Sequence, residues 1–158
     1  MRRMVSLFGS PDAEFAIIQA AQWEFEYRTA DKDALFSTAR GFCPDIIVTF
    51  LSANIPANDF TKDDFIREMG ALHTYLSGGN NAIVIQGDSF FNNRIKCDAI
   101  RAYCDLCGAD FVEMSDLSAN EENLAIGKFE HEGIAHHPGD IGMLRIAERF
   151  FEAIKKYI

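Results

Sequence analysis

Apolar and polar positions along this chain follow two rhythms. Ile46-Ile-Val-Thr-Phe-Leu51 and Ala82-Ile-Val-Ile85 are nearly unbroken apolar runs. Such runs belong to strands buried on both faces of a parallel sheet. Glu14-Phe-Ala-Ile-Ile-Gln19 and Asp110-Phe-Val-Glu-Met114 are predicted as two further strands. Between them the apolar positions recur at helical spacing. Asp31 to Phe42 sets Leu35, Ala39 and Phe42 on one face. Thr61 opens a helix through Leu76 that carries Phe65, Met69, Leu72 and Leu76 inward, and Gly78-Gly79 stops it. Asn92 or Asn93 opens the next helix, which runs to Gly108. A final amphipathic helix spans about Asp140 to Tyr157, with Met143, Ile146, Ala147, Phe150, Phe151 and Ile154 apolar. Ser115 to Ala135 is predicted as mostly irregular, with one helical turn.

Strands alternating with helices through short links predict one doubly wound α/β domain over residues 1–158, flavodoxin-like, with three α/β/α layers and a mostly parallel sheet. The functional site of such a sheet lies beyond the carboxyl ends of its strands. Gln19, Gln22, Trp23 and Glu24 follow the first expected strand, and Ser52 and Asn54 the second. Gln86, Gly87, Asp88 and Ser89 follow the third, and Ser115 and Asp116 the fourth. His136 and His137 sit in the loop entering the last helix. A serine hydroxyl, an imidazole and an amide donor together make an acyl-transfer kit.

Composition narrows the partners. Fifteen Lys and Arg against twenty-four Asp and Glu give a net charge of −9, a field that opposes a nucleic-acid polyanion. A hydrophobic content of 48%, with fourteen Phe, suffices for a single core. No apolar run approaches the ~20 residues of a membrane span. The apolar start Met4-Val-Ser-Leu-Phe8 gives way to Gly9-Ser-Pro-Asp12, too short for the ~7–15-residue core of a signal peptide. A cytoplasmic protein with no membrane partner is therefore expected. Cys104-Asp-Leu-Cys107 lacks the second ligand pair that zinc requires. Helical spacing puts Cys97, Cys104 and Cys107 on one sheet-facing stripe with Ile100, so buried free thiols are expected, with no metal and no cofactor.

The tail His136-His-Pro-Gly-Asp-Ile-Gly-Met143 resembles the last block of SGNH (GDSL-type) hydrolases, where a His-Pro precedes a Gly-Met and the C-terminal helix. Pro44-Asp45-Ile-Ile-Val followed by Leu51-Ser-Ala-Asn54 is similar to that family's hydrophobic strand and Gly-x-Asn block. Residues 81–116 match its strand, helix, strand and Asp-Leu ending. The likeness covers about residues 13–158. It implies a parallel sheet and an esterase acting on acyl or acetyl esters, among them those of carbohydrates. It implies His137 as general base and Asn54 as an oxyanion-hole side chain.

The chain also departs from that pattern. The family's first block, a strand ending in the nucleophilic serine, is not found ahead of Glu14, and Met1–Phe8 reads as the tail of the helix that should follow it. Ser52 stands where the third block has glycine. Ile134 stands where the acid partner of the histidine is expected. Gly87-Asp88-Ser89 spells the family signature but lies downstream of the Asn54 block, so Ser89 is either a relocated nucleophile or part of a strand-exit turn. Asn54 is either an oxyanion donor or a turn residue before Pro56. Asp140 reads as the N-cap of the last helix, and His73 and His131 read as surface residues. Trp23 and Tyr27 belong to the core or to a sugar-binding shelf. Asp59, Asp63, Asp64, Glu121 and Glu122 read as a solvated face.

Three readings follow: an ester hydrolase domain impaired by the absence of its nucleophile strand, with weak or no esterase activity expected of this chain alone, a non-catalytic module of the same fold binding a glycan or small ligand, and a hydrolase using Ser89. With the first central strand absent, Glu14–Gln19 is expected to close the gap by pairing directly with Ile46–Leu51.

Overall fold

The computed structural model describes residues 14–157, so the reading of Met1–Phe8 lies outside the described residues. Ala21–Glu26 (α1) and Lys32–Gly41 (α2) precede Ile46–Phe50 (β1). Then come Lys62–Leu76 (α3), Ile83–Gly87 (β2), Arg94–Cys107 (α4) and Asp110–Val112 (β3). Two 3-10 turns, at Leu117–Ala119 and Glu121–Asn123, lead to the one-turn helix Glu132–Ala135 (α5) and to Asp140–Ile154 (α6).

The strands form one open parallel sheet in the order β1-β2-β3. Ile46 lies opposite Ile83 and Phe50 opposite Gly87, while Ile85 faces Asp110 and Gly87 faces Val112. Alternating strand positions feed two cores. On one face Leu51 packs with Trp23, Tyr27, Phe36, Phe65, Met69, Leu72, Ile100 and Tyr103 of α1 to α4. On the other, Ile85, Val112 and Met114 meet Ile146, Ala153 and Ile154 of α6. The result is the expected three-layer α/β/α fold.

The helix ends follow their capping chemistry. The Asp31 carboxylate accepts from the N–H of Asp33 and Ala34, and the Asn93 side chain from that of Lys96. Gly108 ends α4 in the left-handed region at φ +70°.

Several expectations need correction. Glu14–Gln19 is not a strand. Residues 14–20 are irregular and Ile17 is 82% exposed, with residues 16–19 lying beside Leu35, Thr38, Ala39 and Phe42. The expected closure onto β1 does not form, and β1 is an edge strand among the described residues. Six apolar or amphipathic residues are too few to select a strand without a partner edge, and α2 offers them a surface instead. His73 is buried rather than exposed. Asp140 is not the N-cap of α6. Gly139 holds that place without a side-chain cap, and the Asp140 carboxylate pairs with Lys128 Nζ at 2.5 Å. The cysteines do not share one buried stripe. Cys104 is buried, Cys97 half-buried and Cys107 exposed, all as free thiols. Trp23 and Tyr27 are core residues.

Candidate active site

Asn54 and His137 both stand beyond the carboxyl ends of the strands. Asn54 belongs to the loop leaving β1, and two buried charges bracket that loop. From α1, the Glu24 carboxylate is 4% exposed. Its Oε1 accepts from the backbone N–H of Ser52 (2.6 Å) and of Asn54 (3.2 Å), and its Oε2 accepts from Asn54 Nδ2 (2.6 Å). From α4, Lys96 Nζ donates to the carbonyls of Ser52 (2.7 Å), Ala53 (3.4 Å) and Ile55 (2.7 Å). A carboxylate thus takes the loop's N–H groups while an ammonium takes its C=O groups. Burial pulls the Lys96 pKa down, and the nearby Glu24 charge opposes that fall.

The clamp holds Ser52 at φ +132°, a region that non-glycine residues rarely enter. Among the described residues, the buried Ser52 hydroxyl has no hydrogen-bond partner, and neither has Trp23 Nε1. The residue that replaces the resemblance's glycine is therefore strained. The Asn54 amide carries two N–H bonds, and Glu24 occupies one of them.

His137 is exposed, and its ring meets Phe91 edge-on at 5.3 Å. Phe91 lies four residues past β2, so the imidazole sits above the strand ends. His137 Nδ1 is 2.8 Å from the Gly133 carbonyl. A carbonyl only accepts, so Nδ1 carries the proton and the neutral ring keeps a bare Nε2. That carbonyl does the orienting expected of an acid, which Ile134 cannot supply. His136 and His131 are exposed and make no such bond among those described.

The buried Asn123 pins the histidine loop. Its carbonyl accepts from Gly139 N–H at 2.7 Å, its Oδ1 from Arg145 at 2.7 Å, and its Nδ2 donates to Leu117 O at 2.7 Å. The approach is close enough to exclude side chains. A Cβ on Gly142 would lie 2.2 Å from Asn123 O, and one on Gly139 would lie 2.6 Å from Leu124 O.

Ser89 is 3% exposed. Its neighbour Asp88 braces the end of β3, accepting from the N–H of Met114 (2.5 Å) and Ser115 (3.1 Å) while its own N–H reaches Val112 O. Cys97 lies against Asp88 and Ser89. Burial and then the Asp88 charge push its thiol pKa up, away from a reactive thiolate.

Beneath the sheet end, four side chains form a directed polar relay. Gln86 Nε2 donates to Gly87 O (2.6 Å), and Gln86 Oε1 accepts the Thr49 hydroxyl (2.5 Å). Thr49 Oγ1 lies 3.0 Å from His73 Nε2, and His73 Nδ1 lies 2.5 Å from the Tyr103 hydroxyl. Proton counting leaves one consistent arrangement: Tyr103 donates to Nδ1 of a neutral His73, whose Nε2–H donates to Thr49. Burial lowers the His73 pKa to about 4.

Glu24 and Lys96 are the site residues that sequence reasoning missed. Lys96 left a signal, since it stands three, four and seven positions before the inward residues Ala99, Ile100 and Tyr103. Glu24 was noticed only as the sequel of a strand that does not form. Among the described residues, no group of three or more His, Cys, Asp or Glu side chains is placed to hold a metal ion. No helix there is long and apolar enough to cross a membrane. Comparison of the chain with family models, curated proteins and solved structures finds no match in any of the three.

Proposed function

We propose that this domain hydrolyses acyl or acetyl esters, carbohydrate esters among them, by serine–histidine acyl transfer of the SGNH type. The observation that carries the reading is the Nδ1–H bond of His137 to Gly133 O in an exposed ring, which leaves Nε2 as a base. A serine hydroxyl attacks the ester carbonyl and its proton passes to Nε2. The tetrahedral oxyanion takes the free N–H of Asn54, and the alcohol departs with the proton from His137. Water, deprotonated by the same nitrogen, then releases the acid and restores the serine.

Ser89 is the weaker source of that hydroxyl, because its burial leaves almost no surface for an ester. The second reading is a non-catalytic module that binds a glycan or other small ligand. It is favoured by one observation: among the described residues, no serine hydroxyl is hydrogen-bonded to His137. Hydrolysis of 4-nitrophenyl acetate by the full chain separates the readings. Activity that falls by about 10²-fold or more in both His137→Ala and Asn54→Ala supports the proposal. A parent without turnover supports the binding module, and loss confined to Ser89→Ala and His137→Ala supports Ser89.

A further inference from the structure

The Cys104-Asp-Leu-Cys107 pair has no part in the chemistry proposed above. It occupies the last turn of α4, which ends at Cys107. Cys104 is 2% exposed and packs in the core with Ile100 and Tyr103, whereas Cys107 faces solvent. Both are free thiols. Positions i and i+3 of an α-helix bring their Cα atoms to about 5 Å, inside the ~4.4–6.8 Å that a disulfide spans. Their Cβ atoms stand ~5–6 Å apart, against the ~3.5–4.5 Å of a closed bridge. The α-helical turn thus falls just short of disulfide geometry. A 3-10 turn closes the remainder, because side chains at i and i+3 eclipse in it.

This turn has room to tighten. Residues 105–108 are all exposed, so its outer side moves through solvent rather than through packed side chains. Gly108, the next residue, sits at φ +70° with open space where a Cβ would be, a joint that absorbs a change of direction. Helix ends also pass readily between α and 3-10 bonding. The two thiols differ in a way that orders their reactions. Cys107 is open to a small oxidant. Cys104 is screened from one, and burial pushes its thiol up to about 12. Cys104 therefore attacks only a sulfur already held beside it.

We propose that Cys104 and Cys107 form a reversible disulfide within α4 when the chain meets a low-molecular-weight disulfide such as oxidised glutathione. The Cys107 thiolate attacks one sulfur of that disulfide. A mixed disulfide forms, and one glutathione leaves with the proton that Cys107 gave up. As the last turn opens, Cys104 gives its proton to water and its sulfur attacks the Cys107 sulfur. The bond from Cys107 to glutathione breaks, and the second glutathione leaves as a thiol. Two protein thiols have then lost two electrons and two protons, and the small disulfide has gained both. The tightened turn strains the bridge, which places it among the easily reduced disulfides. Closure takes minutes to hours, as uncatalysed disulfide rearrangements do, because Cys104 is rarely deprotonated.

The bridge also reaches the buried relay. Burial and then the neighbouring Cys107 thiol push the Tyr103 pKa up, and the Tyr103 hydroxyl lies 2.5 Å from His73 Nδ1. Tyr103 stands four positions before Cys107, on the same helix face. Drawing Cys107 towards Cys104 takes it away from Tyr103, so the His73 ring reports the redox state of the pair. None of this depends on the ester-hydrolase reading.

The test incubates the folded full chain with oxidised glutathione, quenches it with N-ethylmaleimide and digests it with trypsin. Cleavage after Arg101 and Lys128 gives a peptide that holds Cys104 and Cys107 and no other cysteine. The expected product is that peptide two hydrogen atoms lighter, with alkylation lost at both thiols and restored by dithiothreitol. His73 ring resonances should shift on oxidation and return on reduction. Cys104→Ser should stop at one glutathione on Cys107. Cys107→Ser, an exposed substitution, should leave Cys104 free of glutathione, and it decides alone if Cys104→Ser does not fold. A parent that stays unmodified, or that keeps glutathione on Cys107 beside a free Cys104, would overturn the proposal. So would a bridge that forms only in urea or that joins two chains. A bridged chain with unmoved His73 resonances would overturn the link to the relay and leave the bridge standing.

Discussion

Replacing Glu24 is the most direct test of the clamp around Asn54. The Glu24→Ala variant deletes three hydrogen bonds to a charged acceptor, each of a kind worth ~1.5–3 kcal/mol. They share one carboxylate, so they do not add. The larger cost is what remains: a buried Ser52 N–H without an acceptor and a buried Lys96 without its nearby countercharge. Breaking a buried charge arrangement from one side costs ~3–5 kcal/mol, a large share of the ~5–15 kcal/mol that holds a domain together. Glu24→Gln should cost less. It keeps an acceptor for the two backbone N–H groups, but its new NH2 confronts Asn54 Nδ2 and obliges the Asn54 amide to turn over.

The sole tryptophan, Trp23, is fully buried next to Glu24, so urea unfolding followed by its fluorescence, with circular dichroism as a second probe, reads both variants. With a urea slope of ~2 kcal/mol per molar, Glu24→Ala should move the midpoint down by about 1.5–2.5 M and Glu24→Gln by roughly half as much. Turning the Asn54 amide over should also depress ester turnover in Glu24→Gln at temperatures where the variant is fully folded. A Glu24→Ala midpoint within ~0.3 M of the parent, at unchanged slope, would refute the clamp.

Ser52→Gly should stabilise the chain by about 1 kcal/mol. It relieves a positive φ and removes an unpaired buried hydroxyl, against the entropy a glycine loses on folding; the urea midpoint reads the sign, and a fall would count against strain at Ser52. His73 predicts an acid-labile fold. Its folded pKa of about 4 lies below the ordinary 6.5, so the unfolded chain binds the extra proton between those values. Stability is then full above pH 6.5 and lost as pH falls towards 4, by on the order of 3 kcal/mol. Urea midpoints across that range should fall more steeply in the parent than in His73→Gln, and parallel profiles would contradict the relay. Gly142→Ala should destabilise by about 1–3 kcal/mol, since its methyl would press on Asn123 O. It should also shift the His137 ring resonances, whereas an unmoved His137 would separate that loop from the glycine.

Periodicity and apolar run length recovered the three strands and four of the six helices, because each of those elements buries a face of its own. Ile83–Gly87 lies between two layers as its apolar run predicts, whereas Ile46–Phe50 buries Ile47 and Thr49 on one face and leaves Val48 and Phe50 exposed on the other, against the expectation of burial on both faces. Glu14–Gln19 failed because a six-residue apolar run says nothing about whether a partner edge is within reach. His73 was legible and misread. It stands eight and four positions after Phe65 and Met69, on the inward stripe of α3, and stripe position decides burial more reliably than polarity does. The partners of Glu24 were not legible, because two of the three are backbone N–H groups about thirty residues away, and backbone groups leave no mark in a sequence. His137 stood out through its neighbours, yet the Gly133 carbonyl that orients it left no mark either.

The clamp also bears on the oxyanion role proposed for the exposed Asn54. A donor stabilises a transition state only if it is already aimed when charge develops, since turning it during the reaction consumes the gain. A surface Asn four residues past the end of an edge strand, in a loop that runs over residues 51–61, would ordinarily rotate freely. Here Glu24 fixes the Asn54 amide and the backbone N–H groups on one side, and Lys96 fixes three carbonyls on the other. Both charges are desolvated to do this, and Ser52 is held in a backbone conformation that opposes folding. Stability alone would favour apolar side chains at 24 and 96 and glycine at 52. The loop is better accounted for as a part whose geometry is kept at the expense of stability, and the geometry it keeps is that of the Asn54 amide.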